Sequence, residues 1–395
     1  MSKAPGHPLS EYEWLVPTLQ PPTSSQQHLR QISQDGKQKI MSQIGAIMFR
    51  LSQLRIEKLG SLFQDDNDDY VVGECLSPSF VWQDRDSLKA VDRGPFDNER
   101  AYLKSLISVY VSHVHELPLT PHAFFAPIPD VSEYASWARY KAATTRWNDF
   151  VSVGQKIDHS KNRFAYCMAG QLMDDMIPSM CDTASDTTGE GFPLGHTDLH
   201  PGNIYVDENL NVTCIIDWGS ASSVPLAELL TTPGMPNSTF LPEASLTAAF
   251  RGGFERASGH GQLSGGMWER VDMQWHLQRL LRMLSIRDYH HFEALYALVH
   301  RPDGGEHASA DVPGLFSERG RRSENRRLLD ELSEEDWSDE YVRKQERTAF
   351  GNPPPAQRLA VARKLTLVSE MNKGFVADRR LWQWIEKALE DFDVV

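Results

Sequence analysis

Residues 194–218 read LGHTDLHPGNIYVDENLNVTCIIDW, and this stretch predicts a loop followed by a β-hairpin. The Pro-Gly pair at 201–202 excludes a regular helix over the loop, because proline lacks a backbone N–H and glycine is a poor helix former. Bulky, β-favouring residues then stand at 204–206 and again at 212–216, on either side of the turn-like run 207–211. This pattern is typical of a short antiparallel hairpin.

Three polar side chains lie next to the ends of the predicted strands. If the turn is centred near Leu210, Asn203 faces Asp217 across the open end of the hairpin, where opposed Cβ atoms lie about 5 Å apart. A slip of one residue would still keep them close. Asp198 comes just before the first strand. A carboxylate and an amide oxygen so placed could ligate a hard cation such as Mg²⁺, which takes oxygen ligands and completes its shell with water or phosphate.

The spacing of these residues resembles that of the aminoglycoside phosphotransferase family, whose members are relatives of the protein kinases. The family's H-x-D-x-x-x-x-N loop and the I-D-W that follows it are matched by His196, Asp198, Asn203, Ile216, Asp217 and Trp218. The resemblance implies that Asp198 accepts or orients the proton of an attacking substrate hydroxyl, while Asn203 and Asp217 hold the Mg²⁺ of ATP. His196, His200 and Trp218 are expected to support this site.

The same resemblance implies an α+β fold, with this chain forming the mostly helical large, C-terminal lobe of a protein-kinase-like fold with short β-hairpins. Enzymes of this kind also have a small, mostly β lobe with a phosphate-covering loop and a phosphate-pairing lysine. We find no such pattern in the sequence and therefore assign no residue to these roles. The opening segment 4–14, APGHPLSEYEW, resembles the chain that follows the hinge between the lobes, so we expect the N-terminal lobe to be missing.

A further family feature follows the I-D-W. In the family, an aspartate that comes shortly after a proline supports the catalytic loop. The corresponding stretch here is Pro225-Leu-Ala-Glu228. We therefore expect this support to be altered or to be supplied by Glu228.

The family resemblance, together with composition and periodicity, divides the chain into predicted segments. These are a post-hinge segment and linker at 1–36, a kinase-like lobe core at 37–300, a mobile Gly-, Pro- and Arg-rich loop at 301–323, and a helical extension of the same lobe at 324–395. A second hairpin is predicted at 59–73. Helical spacing of apolar residues predicts helices at 40–54, 99–114, 161–177, 277–284, 328–332, 339–350, 356–371 and 381–392.

The overall composition is that of an ordinary globular protein. The 395 residues are 40% hydrophobic and 24% charged, with no apolar run long enough for a membrane span and no apolar signal segment at the start. The four cysteines lack paired or metal-ligand spacing, so we expect free thiols and a cytoplasmic location. The net charge of −14 argues against non-specific nucleic-acid binding and is compatible with a cationic small-molecule substrate.

Three other interpretations remain open. Asp198, Asn203 and Asp217 are residue types that also serve as simple turn and strand-end residues. His196, Asp198 and His200 supply the ligand types of a zinc site. The third is a non-catalytic pseudoenzyme or interaction protein, in which the missing small lobe prevents productive nucleotide binding and a partner or second copy covers the exposed surface.

Overall fold

The computed structural model describes residues 4–14, 29–119, 123–181, 191–235, 241–259, 263, 265–283, 287–301, 311–351 and 356–371. Helices dominate these residues, and the strands form two small sheets. The predicted α+β class with a mostly helical composition is confirmed.

The helices in the described residues are α1 (Gln34–Ser52), α2 (Pro78–Val81), α3 (Glu99–Glu116), α4 (Trp137–Ser152), α5 (Ser160–Met180), α6 (Leu226–Leu229), α7 (Ala244–Ser258), α8 (Gly265–Arg282), α9 (Asp288–Val299), α10 (Val312–Gly320), α11 (Ser323–Glu334), α12 (Asp339–Phe350) and α13 (Ala356–Met371). The strands are β1 (His7–Pro8), β2 (Arg55–Ile56), β3 (Gly60–Gln64), β4 (Tyr70–Gly73), β5 (Phe192–Gly195), β6 (Ile204–Val206), β7 (Val212–Ile215) and β8 (Ser222–Ser223). None of these helices has the length and apolarity needed to cross a membrane.

The chain divides into two compact units that do not follow the predicted segments. The first unit contains Met1–Val109 and Met176–Arg282, and the second contains Tyr110–Asp175 and Met283–Val395. The chain passes between the units within α3 and again within α5. The predicted core at 37–300 therefore contributes to both units, because contacts in space and not sequence order define each one.

The core of the first unit is built on the packing of α1 against α7. Ser33 begins α1 as its N-cap, with its side chain accepting a hydrogen bond from the Gly36 N–H at 3.1 Å. The predicted apolar face of α1 is buried together with apolar residues of α7, the buried members including Ile40, Ile44, Met48, Phe250 and Phe254.

Two glycines allow these helices to approach closely. A Cβ atom on Gly45 would collide with the backbone of Phe250, and one on Gly253 would collide with the backbone of Ser42. Because the obstacle in each case is main chain and not a flexible side chain, the contact depends on the absence of a side chain at both positions.

All strand pairs of the two sheets are antiparallel. The smaller sheet has the order β1-β6-β7, and the larger has the order β2-β5-β8-β3-β4. The predicted hairpin at 59–73 is present as β3 and β4, and the predicted hairpin after the Pro-Gly loop is present as β6 and β7. Strand β1, from the predicted post-hinge segment, adds to the edge of the second hairpin.

The second unit contains most of the predicted helical tail. Helix α4 packs against α13, and Trp147, Phe150 and Leu365 are buried in one apolar cluster there. The helices predicted at 339–350 and 356–371 are confirmed as α12 and α13. The helix predicted at 381–392 lies outside the described residues, as do residue 284 and most of the predicted linker.

The prediction of a loop over 301–323 is wrong for its second half, because Val312–Gly320 form α10. Asp311 caps this helix by accepting a hydrogen bond from the Gly314 N–H at 3.1 Å, and a proline stands in its first turn. The glycine and proline that suggested a loop are thus part of a capped helix start. Residues 302–310 lie outside the described residues.

Candidate active site

Two loops of the first unit lie side by side between the two sheets. Loop 196–203 leaves β5 and enters β6, and loop 216–221 leaves β7 and enters β8. At one end Gly195 pairs with Ser222, and at the other Ile204 pairs with Ile215. Strand pairing thus fixes both ends of both loops, and the sequence between the pairs carries every predicted site residue.

The register of the hairpin differs by one residue from the predicted facing of Asn203 and Asp217. The Ile216 N–H donates to the Asn203 carbonyl at 2.9 Å, so Asn203 faces Ile216 and Asp217 comes one residue later. The turn is centred one residue before Leu210, because Val206 pairs with Val212, and the register shift between Tyr205 and Val206 then moves Asn203 one residue closer to Asp217.

Asn203 is buried, and its side chain holds the first loop. The amide Nδ2 donates to the Asp198 carbonyl at 3.0 Å, which closes the loop on itself and leaves the amide oxygen as an acceptor. The Asp198 carboxylate is about three-quarters buried, with a side-chain exposure of 23%. Asp198 and Asn203 are therefore held in one rigid turn of backbone.

Asp217 lies on the second loop and is exposed. Its backbone is left-handed, with φ 64° and ψ 56°, a conformation that aspartate adopts more readily than most residues. In the described part of the chain, no side chain or backbone group donates a hydrogen bond to its carboxylate. This carboxylate is therefore available to an external cation.

His196 and Trp218 hold the two loops together. The His196 ring Nε2 donates to the Ile216 carbonyl at 2.8 Å, and the Trp218 indole Nε1 donates to the Ile215 carbonyl at 2.9 Å. The two rings meet edge to face with their centroids 4.8 Å apart. Thr197 adds a further link, its hydroxyl donating to the Ser220 carbonyl at 2.6 Å.

His200 lies at the surface of the first loop, where 45% of its side chain is exposed. Its Nδ1 accepts from the Gly202 N–H at 3.1 Å, which places the proton of the neutral ring on Nε2, and Nε2 lies 3.9 Å from Asp198 Oδ2. The ring thus stabilises the Pro-Gly turn and faces the Asp198 carboxylate.

The zinc interpretation finds no support in this geometry. His196 uses Nε2 for the backbone of the second loop, while His200 uses Nδ1 for its own turn. Within the described ranges, no group of three or more His, Cys, Asp or Glu side chains is arranged to hold a metal ion. A magnesium site needs no such group, because one carboxylate and one amide oxygen suffice when phosphates and water complete the shell. The acceptor oxygen of Asn203 and the exposed carboxylate of Asp217 fit that requirement.

Glu228 stands at the start of α6 in a polar cluster beside the first loop. Its carboxylate accepts hydrogen bonds from the Tyr102 hydroxyl at 3.1 Å and from Gln274 Nε2 at 3.4 Å. Burial raises the pKa of Glu228 to about 7, although Tyr102, Arg282 and neighbouring glutamines act in the opposite direction. The Glu228 carboxyl therefore changes charge near neutral pH.

A cavity opens beside this cluster. Its lining includes Ser77, Thr197, Glu228, Gln278, Arg279 and Arg282. Glu228 was identified from the sequence, whereas Arg279, Arg282 and Tyr102 were missed. They carry no motif signal, because they reach the site from α3 and α8, which are far from the loop in sequence.

A comparison with protein-family models gives one finding on this segment. Residues 188–272 match the model of the phosphotransferase enzyme family. The matched segment contains both site loops, all of the predicted site residues and Glu228. It ends before Arg282 and does not include Tyr102. The phosphotransferase match thus agrees with the family resemblance that the spacing of His196, Asp198, Asn203 and Asp217 suggested. No curated protein and no solved structure matches the chain.

Proposed function

We propose that this protein is a kinase-like phosphotransferase that moves the γ-phosphate of ATP, with Mg²⁺, to a hydroxyl of a small molecule. The observation that carries the proposal is the pair of fixed loops with Asp198 and Asn203 on one and Asp217 on the other, inside the segment that matches the phosphotransferase model. The −14 net charge is compatible with a cationic acceptor.

In this proposal Asp198 acts on the acceptor. Its carboxylate accepts the proton of the acceptor hydroxyl as the hydroxyl oxygen attacks the γ-phosphorus, and the bond from that phosphorus to the bridging oxygen of ADP breaks. Because the Asn203 amide and the chain turn hold the Asp198 backbone, this part of the loop is in place before the substrate arrives.

Asn203 and Asp217 would hold the magnesium ion through the amide oxygen and the carboxylate. When bound, Mg²⁺ supplies positive charge that offsets the charge of the phosphates. The hydrogen bonds of His196 and Thr197 and the ring contact between His196 and Trp218 contribute by keeping the two loops in one arrangement.

Phosphate transfer tests the proposal. The purified chain is incubated with Mg·ATP and a panel of small alcohols that includes amino sugars, and phosphorylated products are followed by ³¹P NMR. We expect transfer by the wild type and a loss of about 10²- to 10⁴-fold in Asp198→Asn, which removes the proton acceptor but keeps the shape.

The matched control is Asp66→Asn, which changes an exposed carboxylate on the β3–β4 turn of the same unit and is expected to transfer phosphate like the wild type. Full activity in Asp198→Asn, or stoichiometric zinc in the purified protein, contradicts the proposal. A wild type that neither binds Mg·ATP nor phosphorylates a hydroxyl favours the non-catalytic alternative instead.

A further inference from the structure

The first loop is held from the side by the last residue of α8. Arg282 Nη2 donates a hydrogen bond to the Thr197 carbonyl at 2.6 Å, and Thr197 directly precedes Asp198. A guanidinium N–H bound to a carbonyl is a charge-assisted hydrogen bond, which is stronger than a neutral one. The end of α8 is itself fixed, because the Arg282 carbonyl accepts from Gln83 Nε2 at 3.1 Å.

The Arg282 guanidinium lies in the field of two carboxylates. Burial lowers the pKa of Arg282, while the negative charges of Asp198 and Glu228 act to raise it. Arg279, one helical turn earlier, feels the positive charge of Arg282, which adds to the lowering of the Arg279 pKa by burial. The positive charge of Arg282 is thus stabilised from both the loop side and the Glu228 side.

Glu228 and Arg282 line one cavity together with Thr197, and the Glu228 charge acts on the pKa of Arg282. The hydrogen-bond donors to Glu228 are Tyr102 from α3 and Gln274 and Gln278 from α8. The other titratable group facing it is the Cys75 thiol, whose pKa burial and the Glu228 charge raise to about 12. Glu228 is therefore fixed by neutral donors, and Arg282 is its cationic neighbour.

We propose that Arg282 is a positioning residue of the candidate active site, which holds the Thr197 carbonyl so that Asp198 points toward the acceptor, and that Glu228 holds Arg282. The inference rests on the proposed function in one respect, that loop 196–203 is the catalytic loop. Arg282 and Tyr102 lie outside the segment that matches the phosphotransferase model, so the arrangement comes from the structure of this chain.

The proposal has a consequence for pH. As the pH rises through about 7, Glu228 becomes charged and its attraction for Arg282 increases. The hydrogen bond from Arg282 to the Thr197 carbonyl should become stronger over the same interval. Glu228→Gln keeps the shape of the side chain but stays neutral, so it should behave at pH 8 as the wild type does at pH 6.

Amide hydrogen exchange measures the hold on the loop without nucleotide or acceptor. Protection factors of amides in 196–203 are measured in the full chain between pH 6 and 8. A protection factor is a ratio to the intrinsic exchange rate and therefore corrects for the pH dependence of that rate. We expect Arg282→Gln to lower protection by about tenfold or more at pH 8, and Arg282→Lys, which keeps the charge but not the forked geometry, to restore part of it. The control Arg256→Gln removes an exposed arginine of α7 and should leave the loop unchanged.

The wild type should gain protection from pH 6 to 8, and Glu228→Gln should show a flat profile. The rate of phosphate transfer should follow the same two profiles, which a merely structural contact would not produce. Unchanged protection in Arg282→Gln, an equal loss in Arg256→Gln, or parallel pH profiles of wild type and Glu228→Gln overturns the proposal. If Arg282→Gln does not fold, the isosteric Glu228→Gln decides alone. Loop protection that changes as expected in a protein that fails to bind Mg·ATP supports the positioning role and contradicts only the proposed function.

Discussion

Single side chains at the candidate site are held by backbone groups, and this explains why their spacing in sequence is informative. Asn203 bonds the Asp198 carbonyl five residues earlier, and His196 bonds the Ile216 carbonyl on the adjoining loop. A local hydrogen bond of this kind fixes the number of residues between its partners, so the site could be predicted from the H-x-D-x-x-x-x-N pattern. Arg282 and Tyr102 could not be predicted in this way. Arg282 bonds Thr197 across 85 positions and Tyr102 bonds Glu228 across 126, and no local spacing marks either pair.

Asn203→Asp tests the first of these hydrogen bonds. The substitution places a carboxylate oxygen where Nδ2 now donates to the Asp198 carbonyl, so two acceptors would face each other in a buried position. We expect the free energy of unfolding to fall by about 1–3 kcal/mol, measured by urea denaturation. Asn209→Asp, on the exposed hairpin turn, is the control, and an equal effect at both sites would contradict this role of Asn203.

The raised pKa of Glu228 leads us to expect that the free energy of unfolding depends on pH. Glu228 has a folded-state pKa of about 7, above its usual value of 4.5, so its contribution to stability is present in full below about pH 4.5 and is lost as the pH rises through 7. Each pKa unit corresponds to about 1.4 kcal/mol, so the loss reaches up to about 3 kcal/mol by pH 8. Thermal unfolding of wild type and Glu228→Gln at pH 5 and pH 8 checks this. The wild type should lose more stability between the two pH values, and parallel losses would show that Glu228 does not titrate in this range.

At the scale of elements, the sequence predicted the hairpins and most helices because their apolar periodicity is local. The predicted hairpin register was wrong by one residue, because the turn is centred one residue before Leu210 and the shift between Tyr205 and Val206 makes up only part of that difference. The α10 helix was missed because a proline and a glycine in the first turn are equally typical of a loop. The pairing of β5 with β8, which brings the loops together, depends on contacts between distant segments and was not predictable from periodicity.

The close approach of α1 and α7 gives an element-scale prediction. Gly45→Ala and Gly253→Ala should each lower the free energy of unfolding by about 1–3 kcal/mol, because the added methyl group meets backbone that can move only if the helices separate. Gly266→Ala is the control, since this exposed glycine of α8 has open space around it, and there the change should stabilise the helix by up to about 1 kcal/mol. Urea denaturation of the three variants checks this, and a stabilised Gly253→Ala would contradict the packing.

At the scale of the whole molecule, both site loops belong to one compact unit, and so do the residues Glu228, Tyr102 and Arg282. The sequence predicted one continuous lobe core over 37–300, whereas the chain leaves the first unit within α3 and returns to it within α5. Linear segmentation could not show this, because the unit is assembled from two separate stretches of chain.

Calorimetric titration with ATP, in magnesium and again in EDTA, tests the central claim that the two loops form a magnesium-nucleotide site. The wild type should bind ATP only with magnesium, Asp217→Ala should weaken binding at least about tenfold, or about 1.4 kcal/mol, and Asp66→Ala should bind like the wild type. Binding that is absent from the wild type, or that is unchanged in Asp217→Ala, would contradict the claim.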